Sequence, residues 1–249
     1  MNLDVNFFAK LSMAAYKTEM GIIETLLHLD FDLDNIKVID AVGCRCFIAR
    51  NRRKVFISFR GSDNIRNWLT NFDYKKVKGV HGGFWKTANS LYNEIQKYIG
   101  VNDEIYLTGH SLGASLSLIV GNLLYEDLKY VKSVIVFESP NIAESTYIDS
   151  TQKYKIKRIH IRNNVDIVTH LPPKTMGFTN YKFNNVIYFN WKDKAILNPS
   201  TVYIAIDKVK TLLKKSRWNE LTEDHSMDNI LSLILKNKDI IERIGEIGK

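Results

Sequence analysis

A serine flanked by two glycines stands in the stretch YLTGHSLGASLSLIVG, where an apolar run of strand character gives way to one of helix character. Gly109, Ser111 and Gly113 match Gly-x-Ser-x-Gly, which presents a nucleophilic hydroxyl on a tight turn between a strand and a helix. The glycines are needed because a β-carbon at either position would strike the neighbouring strand or helix. The Leu112 amide would lie at the helix N-terminus, where partial positive charge favours an oxyanion. The pattern predicts Ser111 as a nucleophile, with an ordinary glycine-bounded helix start as the alternative.

A serine hydroxyl is a poor nucleophile unless a base removes its proton, so this interpretation requires a histidine. Serine, acid and histidine follow in that chain order when the serine lies on such a turn, which leaves His160, His170 and His225 as candidates. His160 lies inside a predicted strand and is expected to pack there. His225 stands in a polar lead into an amphipathic helix and is the predicted base, with His170, in a loop before two prolines, as the alternative.

The group that orients the histidine should be a carboxylate between the serine and the base. Asp166 follows the predicted strand IKRIHIRN. It would therefore lie at the carboxyl edge of a parallel sheet, beside Ser111. Asp149 lies in a polar loop without such an anchor. Asp166 is the predicted acid, and its alternative role is that of a loop-capping aspartate.

Elements that could position these residues alternate between strand and helix patterns through the middle of the chain. The strand patterns are VIDAVGCRCFIAR, KVFISFRG, DEIYLTG, KSVIVFESP, IKRIHIRN and NNVIYFN, and the helix patterns are FWKTANSLYNEIQKYIG and LGASLSLIVGNLLYEDL. Two more helices are predicted, one after Thr201 with Val202, Ile206, Val209 and Leu213 on one stripe, and one near HSMDNILSLIL. The alternation predicts an α/β fold, a mostly parallel central sheet flanked by helices, in a single domain over residues 1–249.

The composition is that of a globular chain with a basic surface. Of 249 residues, 45% are hydrophobic and 25% are charged, and the formal net charge is +8. That charge favours anionic surfaces, but no zinc-finger spacing or RNP-type aromatic strand indicates nucleic acid. No apolar stretch approaches the roughly 18 residues of a membrane span, and the opening residues do not resemble a secretory leader. We therefore expect a cytoplasmic or otherwise intracellular protein that does not bind nucleic acid.

A series of motifs resembles the class 3, or fungal-type, lipase family of the α/β-hydrolase superfamily. The motifs are, in family order, ISFRGS, NWLTN, VHGGF, TGHSLGASLS, FESP, NNVDIVTHLPP and DHSM. The resemblance implies the α/β-hydrolase fold and ester hydrolysis with Ser111 as nucleophile, Asp166 as acid and His225 as base. It requires no cofactor and no metal. It also implies that Ser62 supplies an oxyanion-hole amide beside that of Leu112, the alternative being a turn hydroxyl.

The same resemblance indicates a class of substrate and, together with the net charge, a possible contact surface of the protein. It implies that the substrates are acyl esters of lipids, which are triacylglycerol, diacylglycerol or phospholipid. The alternatives are a small-ester esterase or thioesterase, and a catalytically silent relative that binds lipid. The basic surface would allow peripheral contact with an anionic membrane, and the oligomeric state is left open.

Two further features concern the surroundings of the site. Four residues fall at i, i+3, i+4 and i+7, the stripe of a short amphipathic helix; they are Ile65, Trp68, Leu69 and Phe72. In the lipases that this chain resembles, the corresponding segment is a lid or the wall of the acyl site, and permanent packing on the core is the alternative. Glu138 is a departure from the family, whose members usually carry glycine there, and it places a carboxylate at a strand end near the site.

Overall fold

A central sheet organises the part of the chain that the computed structural model describes, which is residues 3–62, 75–164, 166–214 and 225–242. In chain order the strands described are β1 (Ile36–Ala41), β2 (Cys44–Asn51), β3 (Lys54–Phe59), β4 (Lys76–Val77), β5 (Val80–His81), β6 (Glu104–His110), β7 (Tyr130–Phe137), β8 (Lys157–Asn163), β9 (Asn185–Phe189) and β10 (Ala195–Leu197). Strands β4 and β5 form a separate small hairpin, and the others form the sheet in the order β1-β2-β3-β6-β7-β8-β9-β10.

The middle of this sheet is parallel and its margins are antiparallel. Strands β3, β6, β7, β8 and β9 run parallel to one another. The pairs β1–β2, β2–β3 and β9–β10 are antiparallel. The predicted mostly parallel sheet is therefore confirmed. Parallel strands bring their carboxyl ends to one edge, which is where loops carry functional groups in such folds.

One predicted strand is in fact two. The segment VIDAVGCRCFIAR was expected to be a single strand, but it forms the hairpin of β1 and β2, with Ala41 opposite Cys44. The turn residues Val42 and Gly43 both have positive φ, 49° and 73°. Two consecutive positive φ values suit the tight turns that match strand twist. The prediction missed the turn because valine rarely occupies its first position.

The helices described are α1 (Val5–Ala14), α2 (Glu19–Leu27), α3 (Gly82–Ile95), α4 (Leu112–Glu126), α5 (Ser145–Ser150), α6 (Thr201–Lys214), α7 (Met227–Lys236) and α8 (Lys238–Glu242). They cover both faces of the sheet. Because side chains alternate along a strand, Phe47 and Ala49 pack with α1, α2 and α7, while Cys46 and Ile48 pack with α3 and α4. Helices α1 and α7, which lie far apart in the chain, also pack against each other.

Helix α6 has its polar side inward. Asp207 and Thr211 are buried, and the Tyr188 hydroxyl donates to Asp207 Oδ2 at 3.0 Å. The predicted apolar stripe points outward instead: Val202, Ile206 and Val209 are 65%, 51% and 56% exposed, and we call these three residues the α6 stripe. The side chain of Leu213, also predicted on it, lies outside the described residues.

No helix within the described ranges combines the length and apolar character that crossing a membrane requires.

Candidate active site

The predicted nucleophile stands at the sharp corner between β6 and α4. Ser111 has φ 58° and ψ −124°, a strained conformation for a residue with a side chain. A β-carbon on Gly109 would lie 2.3 Å from the Gly113 carbonyl oxygen, and one on Gly113 would lie 2.2 Å from that of Phe59. Both approaches are shorter than van der Waals contact, so the two glycines allow β3, β6 and α4 to meet at this corner.

Backbone contacts hold this corner in place. The Ser111 amide donates to the Phe137 carbonyl at 3.0 Å, which ties the end of β6 to the end of β7. Leu112 is the first residue of α4, where amides have no acceptor within the helix and the helix dipole is positive. Ser62 follows β3 and is half-buried. These are the two positions that the family resemblance assigns to an oxyanion hole.

The predicted acid and base are hydrogen-bonded to each other. His225 Nδ1 donates to Asp166 Oδ2 at 2.7 Å, and both side chains are buried. Asp166 follows β8, and its Oδ1 accepts the Val168 amide at 2.8 Å. His225 directly precedes Ser226, the N-cap of α7. Burial alone would raise the pKa of Asp166, but the charge of His225 and the hydrogen bonds that the carboxylate accepts lower it below its usual range. Asp166 is therefore ionised and fixes the proton on Nδ1.

The other ring nitrogen of His225 remains available. Nε2 is buried and has no hydrogen-bond partner within the described part of the chain, so the Ser111 hydroxyl does not yet bond to it. With Nδ1 protonated, Nε2 carries the lone pair that can accept a proton. Contacts between nucleophile and base are often loose before substrate binds. The pair can therefore act as a general base towards a hydroxyl group that reaches Nε2.

The alternative candidates lie in other surroundings. His160 is buried in β8 and its Nε2 accepts the Ser139 amide at 3.0 Å, which is the packed role expected for it. His170 contacts Lys208, and burial, followed by the charge of that lysine, lowers the pKa of His170 to about 4. Asp149 lies in α5 and forms an exposed ion pair of 2.6 Å with Lys182. Only His225, of the histidines described, is paired with Asp166 in this structure.

One neighbour of the pair was not anticipated from the sequence. His110, the residue before Ser111, is buried, and its ring lies 4.5 Å from that of His225. Its Nδ1 is hydrogen-bonded to the hydroxyl of Tyr16, 2.7 Å away, just beyond α1. Burial, followed by the charge of His225, lowers the pKa of His110 well below its usual range. His110 therefore stays neutral and supports the imidazole of His225 without repelling it. The only signal in the sequence was its place inside the serine pentapeptide.

Glu138, the departure noted above, also lies in the site. It directly follows β7, has φ 51° and is fully buried. A carboxylate oxygen of Glu138, one of Asp166 and a ring nitrogen of His225 lie within 4.8 Å of one another. These distances would suit a metal ion, but Asp166 and His225 use their facing atoms for each other and Glu138 Oε1 accepts the Asn163 amide. The three side chains therefore form an acid–base pair beside a second acid.

The four residues predicted for a lid or acyl wall, Ile65, Trp68, Leu69 and Phe72, lie outside the described residues.

Comparisons with known proteins agree with the fold. Residues 56–176 match the model of the protein family described as Lipase (class 3), a range that includes Ser111 and Asp166 but ends before His225. A crystal structure of an MDLA mutant from Penicillium cyclopium superposes with a TM-score of 0.63, over 88% of this chain and 92% of that chain, at 18% identity. This likeness concerns the fold alone, and it confirms the predicted α/β-hydrolase architecture.

Two relatives are similar in sequence. The chain is 29% identical to a lipase of Rhizomucor miehei over 200 residues, which cover 70% of this chain and 55% of that one. It is 31% identical to a lipase of Rhizopus niveus over 147 residues, which cover 51% of this chain and 37% of that one. The chain thus spans between 37% and 55% of the length of these relatives.

Proposed function

Residues 56–176 match the class 3 lipase family, and from that premise we propose that the chain is a serine hydrolase that cleaves acyl esters of lipids. The observation that carries the proposal is the 2.7 Å hydrogen bond between His225 Nδ1 and the buried carboxylate of Asp166. This bond joins two of the three groups that serine catalysis needs, and they follow Ser111 in the order expected for this fold. Triacylglycerol, diacylglycerol and phospholipid all carry the ester bond that this chemistry attacks.

The residues of the site have complementary parts in the reaction. Ser111 Oγ would attack the ester carbonyl carbon while His225 Nε2 takes the hydroxyl proton. Asp166 would hold the imidazole in the required tautomer and stabilise the imidazolium. The amides of Leu112 and Ser62 would donate to the oxyanion of the tetrahedral intermediate. When that intermediate collapses, the leaving alcohol takes the proton from His225, and water then cleaves the acyl-enzyme by the same route.

A second part of the proposal is peripheral contact with an anionic membrane through α6. The α6 stripe is apolar and exposed, and Lys210 is exposed on the same helix. A surface helix normally turns its apolar side to the core, whereas this one turns Asp207 and Thr211 inward. Apolar side chains beside a lysine suit the interface of a bilayer with acidic headgroups. Through its Lys208–His170 contact, α6 is also attached to the loop that carries Asp166, so docking there would bring the site to the lipid.

The catalytic proposal is tested by hydrolysis of p-nitrophenyl esters of increasing chain length. Ser111→Ala is expected to lower kcat by at least about 10⁴-fold, because the acyl-enzyme can no longer form. Ser150→Ala, an exposed serine of α5, is the matched control and should leave kcat unchanged. Unchanged turnover in Ser111→Ala would contradict the proposal. Serine-dependent activity confined to short esters would indicate an esterase instead of a lipase.

The membrane proposal is tested by sedimentation with vesicles of phosphatidylglycerol and phosphatidylcholine. The double substitution Ile206→Ser with Val209→Ser removes two apolar contacts and is expected to weaken binding by about tenfold. Val101→Ser is the control, since Val101 is 81% exposed beside the start of β6, away from α6. Equal binding by the double variant and the wild-type protein would contradict membrane contact through α6.

A further inference from the structure

Glu138 is a buried acid that the mechanism above does not use. It has no exposed surface, and its φ of 51° lies in the region that favours glycine. A glutamate there carries a cost in backbone strain and a second cost in desolvation of its carboxyl group. Its amide donates to the Ile161 carbonyl at 3.0 Å, which fixes the backbone between the ends of β7 and β8. The position of the side chain is therefore set by both strands.

The two oxygens of Glu138 have different surroundings. Oε1 accepts a short hydrogen bond from the Asn163 amide. Oε2 is buried, and no N–H or O–H group of another described residue donates to it. The nearest acid is Asp166: a carboxylate oxygen of Glu138 and one of Asp166 lie within 4.8 Å of each other. Two buried carboxylates this close repel each other when both are ionised, so a single proton on the pair is favoured, and it would allow a hydrogen bond between the two acids.

The hydrogen bonds indicate which acid holds that proton. Asp166 already accepts His225 Nδ1 at 2.7 Å and the Val168 amide at 2.8 Å, both of which favour its ionised form. Glu138 accepts only the Asn163 amide within the part of the chain described. The proton is therefore better placed on Glu138, whose Oε2–H can then donate to Asp166.

Charged groups face the pair from two elements of the fold. Burial, followed by the negative charge of Asp166, raises the pKa of Glu138 well above its usual range, although the Asn163 amide and Arg162 oppose this. Arg162 supplies one positive charge from β8, which balances one carboxylate. Lys208 faces both acids from α6, and burial, followed by the charge of Arg162, lowers its pKa to about 8.

Two histidines also border this group of charges. Burial, followed by the charge of Arg162, lowers the pKa of His160 well below its usual range. His110 is held neutral in the way described above. Neither imidazole therefore supplies a positive charge that could replace the proton on the acid pair.

We propose that Glu138 is a positioning residue, whose protonated carboxyl group donates a hydrogen bond from Oε2 to Asp166 and holds Asp166 in line with His225 Nδ1. The role in catalysis rests on the proposed function, whereas the location of the proton does not. The hydrogen bond adds a third donor to Asp166, besides those of His225 and Val168. It would keep the acid ionised and oriented while His225 gains and loses its proton.

Whether Glu138 holds the proton in the folded state is tested by unfolding the wild-type protein and Glu138→Gln at a series of pH values. A buried acid with a raised pKa binds a proton that the unfolded chain has released, so its folded state loses stability as pH rises. The quantity compared is the ratio of the folding equilibrium constant of the wild type to that of Glu138→Gln. This ratio is expected to fall about tenfold per pH unit between about pH 5 and 7. Because the ratio compares two variants, contributions from other titrating groups cancel.

Two further variants support this measurement. Glu94→Gln, at an exposed acid of α3 that pairs with Lys97, is the control and should give a ratio independent of pH. Glu138→Gly removes the carboxyl group and suits the positive φ, so it provides the same comparison if the glutamine variant does not fold. A ratio that stays constant with pH for both Glu138 variants would mean that the glutamate is ionised in the fold, and would overturn the proposal.

The positioning role is tested by kinetics with p-nitrophenyl butyrate. Glu138→Gly is expected to lower kcat by about tenfold with little change in KM, since it loses one hydrogen bond to a charged group. Glu138→Gln keeps a donor, so we expect it to recover most of that loss and to lack the decline at alkaline pH that ionisation of Glu138 causes in the wild type. Wild-type kcat in Glu138→Gly would overturn the positioning role.

The two proposals fail in different ways. If Ser111→Ala hydrolyses the ester as well as the wild type, the proposed function is wrong, and the pH-dependent folding ratio still decides where the proton lies. If Ser111→Ala is inactive but the ratio is constant, the function stands and the inference about Glu138 is wrong.

Discussion

The two ends of the central sheet differ in how completely their buried polar groups are hydrogen-bonded. At the end where the parallel strands begin, Asp103 accepts both terminal nitrogens of Arg50, at 2.6 and 2.9 Å, and the Gly100 amide at 2.6 Å. At the carboxyl end, His225 Nε2 is buried without a hydrogen-bond partner within the described residues. Satisfied charges add to stability, whereas unsatisfied buried groups reduce it. The difference indicates that Asp103 serves the fold, whereas the carboxyl end keeps a ring nitrogen of His225 available for chemistry.

The largest expected effect that would test this contrast comes from Asp166→Asn. The amide can no longer fix the proton on His225 Nδ1, so we expect kcat to fall by about 10⁴-fold with little loss of fold. Ester hydrolysis and thermal unfolding of the same preparation measure both quantities. Asp149→Asn, at the exposed acid paired with Lys182, is the matched control and should keep wild-type kcat. If Asp166→Asn kept wild-type kcat, the carboxyl end of the sheet would not have the catalytic role that the comparison gives it.

Asp103→Asn should have the opposite effect, on stability instead of on kcat. Loss of the charge-assisted hydrogen bonds to Arg50 is expected to lower the free energy of unfolding by about 2 kcal/mol without changing kcat. Urea unfolding and ester hydrolysis would measure the two effects. A loss of kcat in a protein that is still folded would show that the two ends of the sheet are not separate in function.

The same pair predicts a pH dependence. Partial burial would raise the pKa of Asp103, but the hydrogen bonds from Arg50 and the Gly100 amide outweigh it and lower the pKa. A carboxyl group with a lowered pKa stabilises the fold above its unfolded pKa, and this contribution is lost as pH falls through the folded value. The stability difference between wild type and Asp103→Asn should therefore shrink below about pH 4.

The smallest expected effect concerns backbone strain away from the site. Val42 has a φ of 49° in the exposed turn between β1 and β2, a conformation that disfavours β-branched residues. Val42→Asn would give the Asn-Gly pair that such turns prefer, and should raise the free energy of unfolding by about 1 kcal/mol with unchanged kcat. Val101→Asn, also exposed, is the control. If Val42→Asn impaired hydrolysis, strain at this turn would not be independent of the site.

The sequence predicted the parts of the fold that depend on local patterns. The turn around Ser111 follows from two glycines, and the structure shows why, since a β-carbon on Gly113 would collide with the Phe59 carbonyl. The parallel strands follow from apolar runs separated by helices. The pairing of Asp166 with His225, 59 residues apart, could be proposed only because the chain order of such groups is restricted.

What the sequence did not predict depends on contacts between distant segments. Tyr16 bonds to His110 across 94 residues, and no pattern near the start of the chain indicates that contact. The hairpin at Val42 was missed because a valine occupies a position that usually holds asparagine or glycine. Periodicity predicted that the residues of the α6 stripe share one side of a helix. It could not show that this side faces outward, because the side that meets the core is formed by the polar residues Asp207 and Thr211.

The packing of α1 against α7 has a consequence for synthesis. His225 directly precedes α7, and α7 lies on a helix made from the first residues described. A chain still leaving the ribosome can therefore expose Ser111 and Asp166 while it lacks both the base and the helix that positions it. Domains fold as units during translation, so the base would reach its place only after α1 and α7 have packed together. If the proposed function holds, hydrolysis would have to wait until synthesis has passed α7.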